Sequence, residues 1–423
     1  MMKVKFVTLG CKVNQYETQA LKENFAKAGF EITGGVADLY IINTCTVTRQ
    51  ADIKSKKAVL KAKRENPSGL IAVCGCLPQL NREDLLPLGV DFIVPQDKKP
   101  YLLDFILKNQ VKEYKDVWSL KITNFFNQRA FVKIQDGCDN FCSFCKIPYV
   151  RGRSKSRPKE EILQEIDRLS ARYPEIVICG VNIGAYGKDF LRGEKQQVSN
   201  RESLASLVKE ILKNKNLGRL RLSSLEPRYI SDELLELFGR DKICPHLHLP
   251  FQSGDDKILS AMNKKERISL YKTLVKRVRK INPMIAISCD IMIGCPYEDE
   301  KSFQSTVEFL QEVRPMRMHI FTFSPRQKTA WENLRPQEAS VTKRRYKILK
   351  EMGESFSLEY KERFLGKTLS MICEEKKDGY LCGYTENYLR VFLKDKVPLG
   401  EMVKVKIEKI VDDKLFAVRS KAL

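Results

Sequence analysis

Residues 136–158 read DGCDNFCSFCKIPYVRGRSKSRP, which places Cys138, Cys142 and Cys145 in a C-x3-C-x2-C spacing with a burst of arginines behind. A structural zinc site takes four protein ligands in closed tetrahedral geometry. No fourth cysteine follows closely, and the nearest histidine is the distant His246. A cubane iron–sulfur cluster accepts one external ligand per iron, so three thiolates leave one iron open to a substrate or cofactor. Arg151, Arg153 and Arg157 are expected either to meet nucleic-acid phosphates or to form a solvated basic loop.

A second set of thiols is less obvious. Cys11 follows the apolar run KVKFVTLG, Cys45 follows LYIINT, and Cys76 follows LIAVCG. If these runs are parallel strands, each delivers a cysteine just past its carboxyl end, into the crevice where open α/β sheets bind ligands. Buried cysteines acting as small hydrophobes are the alternative, but burial does not explain placement outside three strand ends. A second iron–sulfur cluster on Cys11, Cys45 and Cys76 is expected. Cys74 lies within a strand run and is assigned to the core.

The elements that must position these residues fall into three groups. Residues 1–112 alternate short apolar runs with helical stretches, the pattern of an open parallel α/β sheet. Residues 113–128 break the alternation and read as a linker. Residues 129–345 carry six βα units, enough for a partial (β/α)6 barrel related to the TIM barrel but short of its eight units. A helical linker covers 346–365. From 366 to 423 the hydrophobic period changes to two, predicting a small antiparallel OB-like β-barrel.

The chain of 423 residues carries 75 Lys+Arg against 53 Asp+Glu, a formal net charge of +22. That excess favours a polyanionic partner such as RNA. With 43% hydrophobic and 30% charged residues, the composition excludes a disordered chain. No signal peptide or membrane span is expected, which places the protein in the cytoplasm, away from membranes. In that compartment the 13 cysteines should be reduced and available for metal or redox chemistry rather than paired in disulfides.

The cysteine stretch, with Phe144 just before its last cysteine, resembles the signature of radical S-adenosylmethionine (SAM) enzymes. TLGCKVNQYET, INTCTV and VCGCLPQ, followed by that motif and a small C-terminal β-domain, resemble the methylthiotransferase family over essentially the whole chain. The resemblance implies an N-terminal methylthiotransferase domain, a radical SAM domain and a TRAM domain. It also implies two 4Fe–4S clusters, with SAM bound near Phe144, Gly180, Asn182, Ser223 and Gln252. TLGCKVNQYET and CGYTENYLRV are most similar to the MtaB branch, whose substrate is N6-threonylcarbamoyladenosine beside the tRNA anticodon. Partners implied are the tRNA anticodon loop, an electron donor and a sulfur source; the residues specify no oligomeric state, and a monomer is the default expectation. Tyr384, Tyr388 and Arg390 are expected to help the last domain grip RNA. The chain departs from the family at the extra Cys74, at GCPYEDE and at SPRQKTAW. Two other readings stand beside this one: a sibling methylthiotransferase acting on isopentenyladenosine or a ribosomal-protein aspartate, and a non-catalytic zinc-stabilised RNA-binding protein.

Overall fold

The computed structural model describes residues 1–109, 113–190 and 203–420. The N-terminal apolar runs become parallel strands β1 (Lys3–Thr8), β2 (Glu31–Ile32), β3 (Leu39–Thr44), β4 (Leu70–Gly75) and β5 (Phe92–Val94), in spatial order β2-β1-β3-β4-β5. β3 is buried along its length because alternate residues serve two faces. Leu39 and Ile41 pack with Val13, Tyr16 and Ala20 of helix Lys12–Lys27, whereas Tyr40 and Ile42 pack with Val59 and Ala62 of helix Arg49–Glu65. Both-sided burial of a parallel strand follows from this layering. The two-residue β2 was not expected; it is exposed and sits at the sheet edge.

Residues 113–129 contain no helix or strand, yet they are packed. Leu120, Ile122 and Phe125 join the main core, and the Thr123 N–H donates to Glu23 at 2.8 Å.

β6 (Ala130–Lys133) opens the central unit. The antiparallel pair β7 (Gln135–Asp136) and β8 (Lys155–Ser156) then closes the base of the cysteine loop between them. β9 (Glu175–Cys179), β10 (Arg219–Leu222), β11 (His246–Gln252), β12 (Ala286–Ile293) and β13 (Arg317–Thr322) follow. The six long strands lie in chain order as parallel triplets β6-β9-β10 and β11-β12-β13, which meet through the bridge Leu220–Ile243. This is the partial α/β barrel that six βα units predict.

Helix Ala339–Glu362 leads to β14 (Thr368–Lys377), β15 (Tyr380–Thr385), β16 (Arg390–Leu393), β17 (Met402–Val411) and β18 (Lys414–Arg419), which close into a barrel. Met371, Leu381, Val391, Val405 and Leu415 fill it. The expectation of a wholly antiparallel barrel holds except at one seam, because β16 pairs with β18 in parallel. Closing the barrel in the order β14-β15-β16-β18-β17 brings together two strands that run the same way.

Candidate active site

Two glycines set the N-terminal cysteines. Gly10 and Gly75 adopt φ of 101° and 99°, a region open to glycine but costly for residues with a Cβ. A Cβ on Gly10 would lie 2.8 Å from the Cβ of Cys45, and one on Gly75 would lie 2.5 Å from Asn43 Oδ1. The chain can therefore turn from β1 into the helix behind Cys11, and from β4 into the short helix that begins at Cys76. Cys11, Cys45 and Cys76 line one cavity of about 840 Å³. Cys74, two residues before Cys76, is fully buried in the hydrophobic core.

The second triad sits in the loop that β7 and β8 close. Gln135 Nε2 donates to the Asp136 and Gly137 carbonyls at 2.9 and 2.7 Å, and the Cys145 N–H donates to the Cys142 carbonyl at 2.9 Å. The Trp331 N–H donates to the Ser143 carbonyl at 2.9 Å, so the variant SPRQKTAW segment braces the cysteine loop. Cys145 and Phe144 line a neighbouring cavity of about 370 Å³ with Gln252, Met292 and Phe321. Val47, Ile147 and Asp290 line both cavities, so Cys145 and the N-terminal triad face adjoining spaces.

Burial pushes the Cys45 thiol up to about 12, with Cys76 and Cys11 adding to the effect. Burial likewise pushes Cys145 up to about 12, and raises Cys76 despite the pull of Arg151 and Lys99. Cys45 and Cys76 are buried, Cys138, Cys142 and Cys145 half-buried and Cys11 exposed; such thiols lose their protons on binding a metal centre. Each triad is thus a donor set suited to iron.

The residues expected to meet SAM also test its fit. Asn182 Nδ2 and Oδ1, Ser223 Oγ and Gln252 Oε1 are buried without good hydrogen-bond partners. Asn182 nevertheless lies close enough to Cys138 and Tyr229 to favour their ionised forms. Polar atoms left this way cost folding free energy and are ready for a polar ligand. Gln252 reaches its place through a register shift at the end of β11, with φ of 67°. Gly180 lines the larger cavity beside Ser223, and a Cβ there would sit 2.8 Å from the Gln135 carbonyl, so its bare backbone also lets this loop pack on the base of the cysteine loop.

A buried ionic hub joins the two triads. Glu17, on the helix behind Cys11, accepts from Lys99 at 2.5 Å, Lys133 at 2.8 Å and Arg151 at 3.0 Å. Arg151, on the short helix after Cys145, also pairs with Asp136 at 3.0 Å and donates to Asn14 Oδ1 at 2.6 Å. Neither expectation for the arginine burst holds for two of its members. Arg151 and Arg157 are buried, the latter pairing with Glu165 at 3.0 Å, and only Arg153 is exposed. Glu17 lies far from Arg151 in sequence, hidden from local reading, whereas Arg157 pairs within the next helix with Glu161 and Glu165. A further clamp forms beside Cys45, where Arg326 donates to the Thr46 carbonyl at 2.7 Å and Lys146 donates to Thr46 Oγ1 at 3.1 Å.

The larger cavity has a wall that motif reading missed. All three histidines of the chain, His246, His248 and His319, line it with Ser288 and Asp290. Asp290 bridges His248 at 3.1 Å and His319 at 3.2 Å; burial raises its carboxyl, but these histidines hold it well below the usual range. The signal was the HLH alternation in β11, which puts both imidazoles on one face. Tyr384 and Tyr388 come from the C-terminal barrel but line this cavity, stacked at 4.8 Å. Arg390 lies apart, paired with Glu375.

Comparison with known proteins agrees with this architecture. Residues 3–94 match the family described as uncharacterized protein family UPF0004, and residues 132–310 match the radical SAM superfamily. The chain is 34% identical to the threonylcarbamoyladenosine tRNA methylthiotransferase MtaB of Bacillus subtilis, over 97% of this chain and 94% of that protein. It is 34% identical to the MtaB of Thermotoga maritima, over 99% and 98%. It is 33% identical to the tRNA-2-methylthio-N(6)-dimethylallyladenosine synthase of Thermotoga petrophila, over 98% and 96%. The structure of TsrM, a radical SAM methyltransferase from Kitasatospora setae, superposes with a TM-score of 0.58 at 12% identity, covering 78% of this chain and 74% of that one, a likeness of fold. No helix among the described residues is long and apolar enough to cross a membrane. With the N-terminal thiol triad and Cys145 on adjoining cavities and MtaB enzymes among its near-full-length relatives, the chain belongs to the radical SAM methylthiotransferase family, on its MtaB branch, whose enzymes use two 4Fe–4S clusters and SAM.

Proposed function

We propose that this enzyme converts N6-threonylcarbamoyladenosine at tRNA position 37, next to the anticodon, to its 2-methylthio derivative. The observation that carries the proposal is that Cys11, Cys45 and Cys76 line one cavity and Cys145, from the C-x3-C-x2-C loop, lines the adjoining one. Cys138, Cys142 and Cys145 hold the radical cluster, and Cys11, Cys45 and Cys76 hold the auxiliary cluster. Asn182, Ser223 and Gln252 bind SAM, with Phe144 and the apolar lining of the smaller cavity beside it. When bound, these groups supply a 5′-deoxyadenosyl radical and an activated sulfur for the C2–H position of adenine.

The protein's own share is placement and electrostatics. The Glu17–Arg151–Asp136 hub locks the helix behind Cys11 to the loop that carries Cys145, fixing one triad against the other. Arg151 and Lys99 place positive charge beside Cys76 and favour its thiolate. Phe144, Met292 and Phe321 exclude water from the smaller cavity, which limits quenching of reactive species. Residues 1–112, 129–345 and 366–423 act as the auxiliary-cluster, radical and TRAM domains. The last binds tRNA and closes the larger cavity. Anticodon-loop bases can be splayed out into such a cavity. The cationic lining, with Lys12, Arg129, Arg221 and Arg317, suits a threonylcarbamoyl carboxylate, whereas an isopentenyl chain calls for an apolar wall. One chain completes the site, consistent with a monomer working in the cytoplasm with an external electron donor and sulfur source.

The test compares two tRNAs, one carrying threonylcarbamoyladenosine and one isopentenyladenosine, with the same anaerobically reconstituted enzyme. Mass spectrometry of digested nucleosides should find methylthio product from the first. Product from the second alone would transfer the enzyme to the sibling reaction.

A further inference from the structure

The stacked Tyr384 and Tyr388 are ringed by arginines. Arg129, Arg221 and Arg317 lie 5.8, 4.7 and 5.2 Å from the Tyr388 ring centre, and His246 stacks on its face at 4.6 Å. These cations differ in how far they are already neutralised. Arg129 pairs with Glu175 at 3.3 Å and Glu374 at 2.9 Å. Arg221 pairs with Glu175 at 2.7 Å, but its Nη1 is buried without a partner. The side chains of Arg317 and Lys12 have no hydrogen bond or ion pair among the described residues, although both line the cavity. Asp290 is engaged by two histidines. Burial raises the Tyr388 phenol, yet Lys12, Arg129, Arg221 and Arg317 outweigh it and leave the phenol more acidic than usual. The positive field therefore converges on this corner.

We infer that Arg317, assisted by Lys12 and the free Nη1 of Arg221, binds the threonyl carboxylate of the substrate, under a roof formed by Tyr384 and Tyr388. The inference rests on the substrate proposed above. The threonylcarbamoyl group leaves adenine from N6, on the same base edge as C2. A cavity that presents C2 to the Cys11, Cys45 and Cys76 wall must therefore also house the carboxylate. A guanidinium offers that anion two parallel N–H donors, which an ammonium cannot match. Arg317 starts β13 in register with Ser288 of β12, which in turn pairs with His248 of β11, so a rigid sheet fixes its position. The C-terminal barrel then contributes to substrate choice through its two tyrosines, besides binding RNA.

The same anion chemistry belongs to anticodon-loop phosphates, so the experiment separates the two sources. Synthetic anticodon stem-loops carry threonylcarbamoyladenosine either as the free acid or as its methyl ester, with every phosphate unchanged. Binding and turnover are measured with the reconstituted enzyme, its Arg317→Gln and Arg317→Lys variants, and a thermal midpoint as the folding control. The wild type should prefer the acid by about 10- to 100-fold, the range expected for a charge-assisted hydrogen bond in a cavity. Arg317→Gln should bind acid and ester alike, near the wild-type ester value, and Arg317→Lys should recover part of the preference. Equal weakening of both ligands by Arg317→Gln assigns the arginine to a phosphate and overturns the inference; an unchanged acid preference overturns it too. A wild type that turns over only an isopentenyladenosine stem-loop overturns the substrate itself, an outcome visible before any variant is tested.

Discussion

Replacing Arg151 by alanine should open the joint between the two cysteine-bearing units. Its side chain is 1% exposed and pairs with Glu17 and Asp136, each at 3.0 Å. Removing one partner of a buried ion pair costs about 3–5 kcal/mol, because the remaining charge is left uncompensated. Lys99 and Lys133 would stay on Glu17, at 2.5 and 2.8 Å, so the cost should fall at the lower end, about 3 kcal/mol, or about 150-fold in the opening equilibrium. The control lies two residues away. Arg153 is 65% exposed and meets Asp139 at 3.5 Å, and an exposed pair of that kind contributes within about 0.5 kcal/mol. Amide hydrogen exchange across β6 and helix Lys12–Lys27 of the apoprotein reads the local opening free energy. Arg151→Ala should speed exchange there by about two orders of magnitude while Arg153→Ala leaves it near wild type. Equal effects from the two variants would refute the hub.

Acid should act on the same joint. Burial raises the Glu17 carboxyl, but Arg151, Lys133 and Lys99 hold it well below the usual range, so the unfolded chain binds the proton more readily. The associated stability is present above about pH 4 and lost as pH falls below it; an acid-unfolding midpoint of the apoprotein that does not move in Glu17→Gln would contradict this. Ser223→Ala should weaken SAM binding by about 2- to 10-fold, the worth of one neutral hydrogen bond, with no loss of thermal stability because the hydroxyl has no good partner in the protein. Titration calorimetry and a melting curve check both halves. Deleting residues 366–423 should lower kcat as well as raise KM for tRNA, since Arg219 and Arg221 donate to the Ser370 and Thr385 carbonyls of the barrel at 2.7 and 3.0 Å. A barrel that merely grips RNA would move KM alone.

The positions of the six cysteines were legible because each sits where topology makes a residue special. Cys138, Cys142 and Cys145 are close in sequence, while Cys11, Cys45 and Cys76 share the rule that parallel sheets deliver ligands past strand ends. The hub was not legible. Glu17 lies in QYETQALKEN, which reads as an ordinary solvated helix face, and its partners Lys99, Lys133 and Arg151 come from three separate elements. The cavity wall offered a signal that motif matching passes over. RLR in β10 and HLH in β11 put charged or ring-bearing side chains at alternate positions of parallel strands, where both faces are normally apolar. Tyr384 and Tyr388 read as barrel surface, and only the docking of that barrel on the central sheet turns them inward to the cavity.

The division of labour between two clusters can be tested in one comparison of three reconstituted proteins: wild type, the Cys138/Cys142/Cys145→Ala triple variant, and Cys76→Ala. Iron, 5′-deoxyadenosine and methylthio product are measured on each. The triple variant should lose about half its iron and all 5′-deoxyadenosine, because no other C-x3-C-x2-C lies in the chain. Cys76→Ala should still cleave SAM but form no methylthio product. Methylthio product from Cys76→Ala, or SAM cleavage by the triple variant, would contradict the two-cluster account.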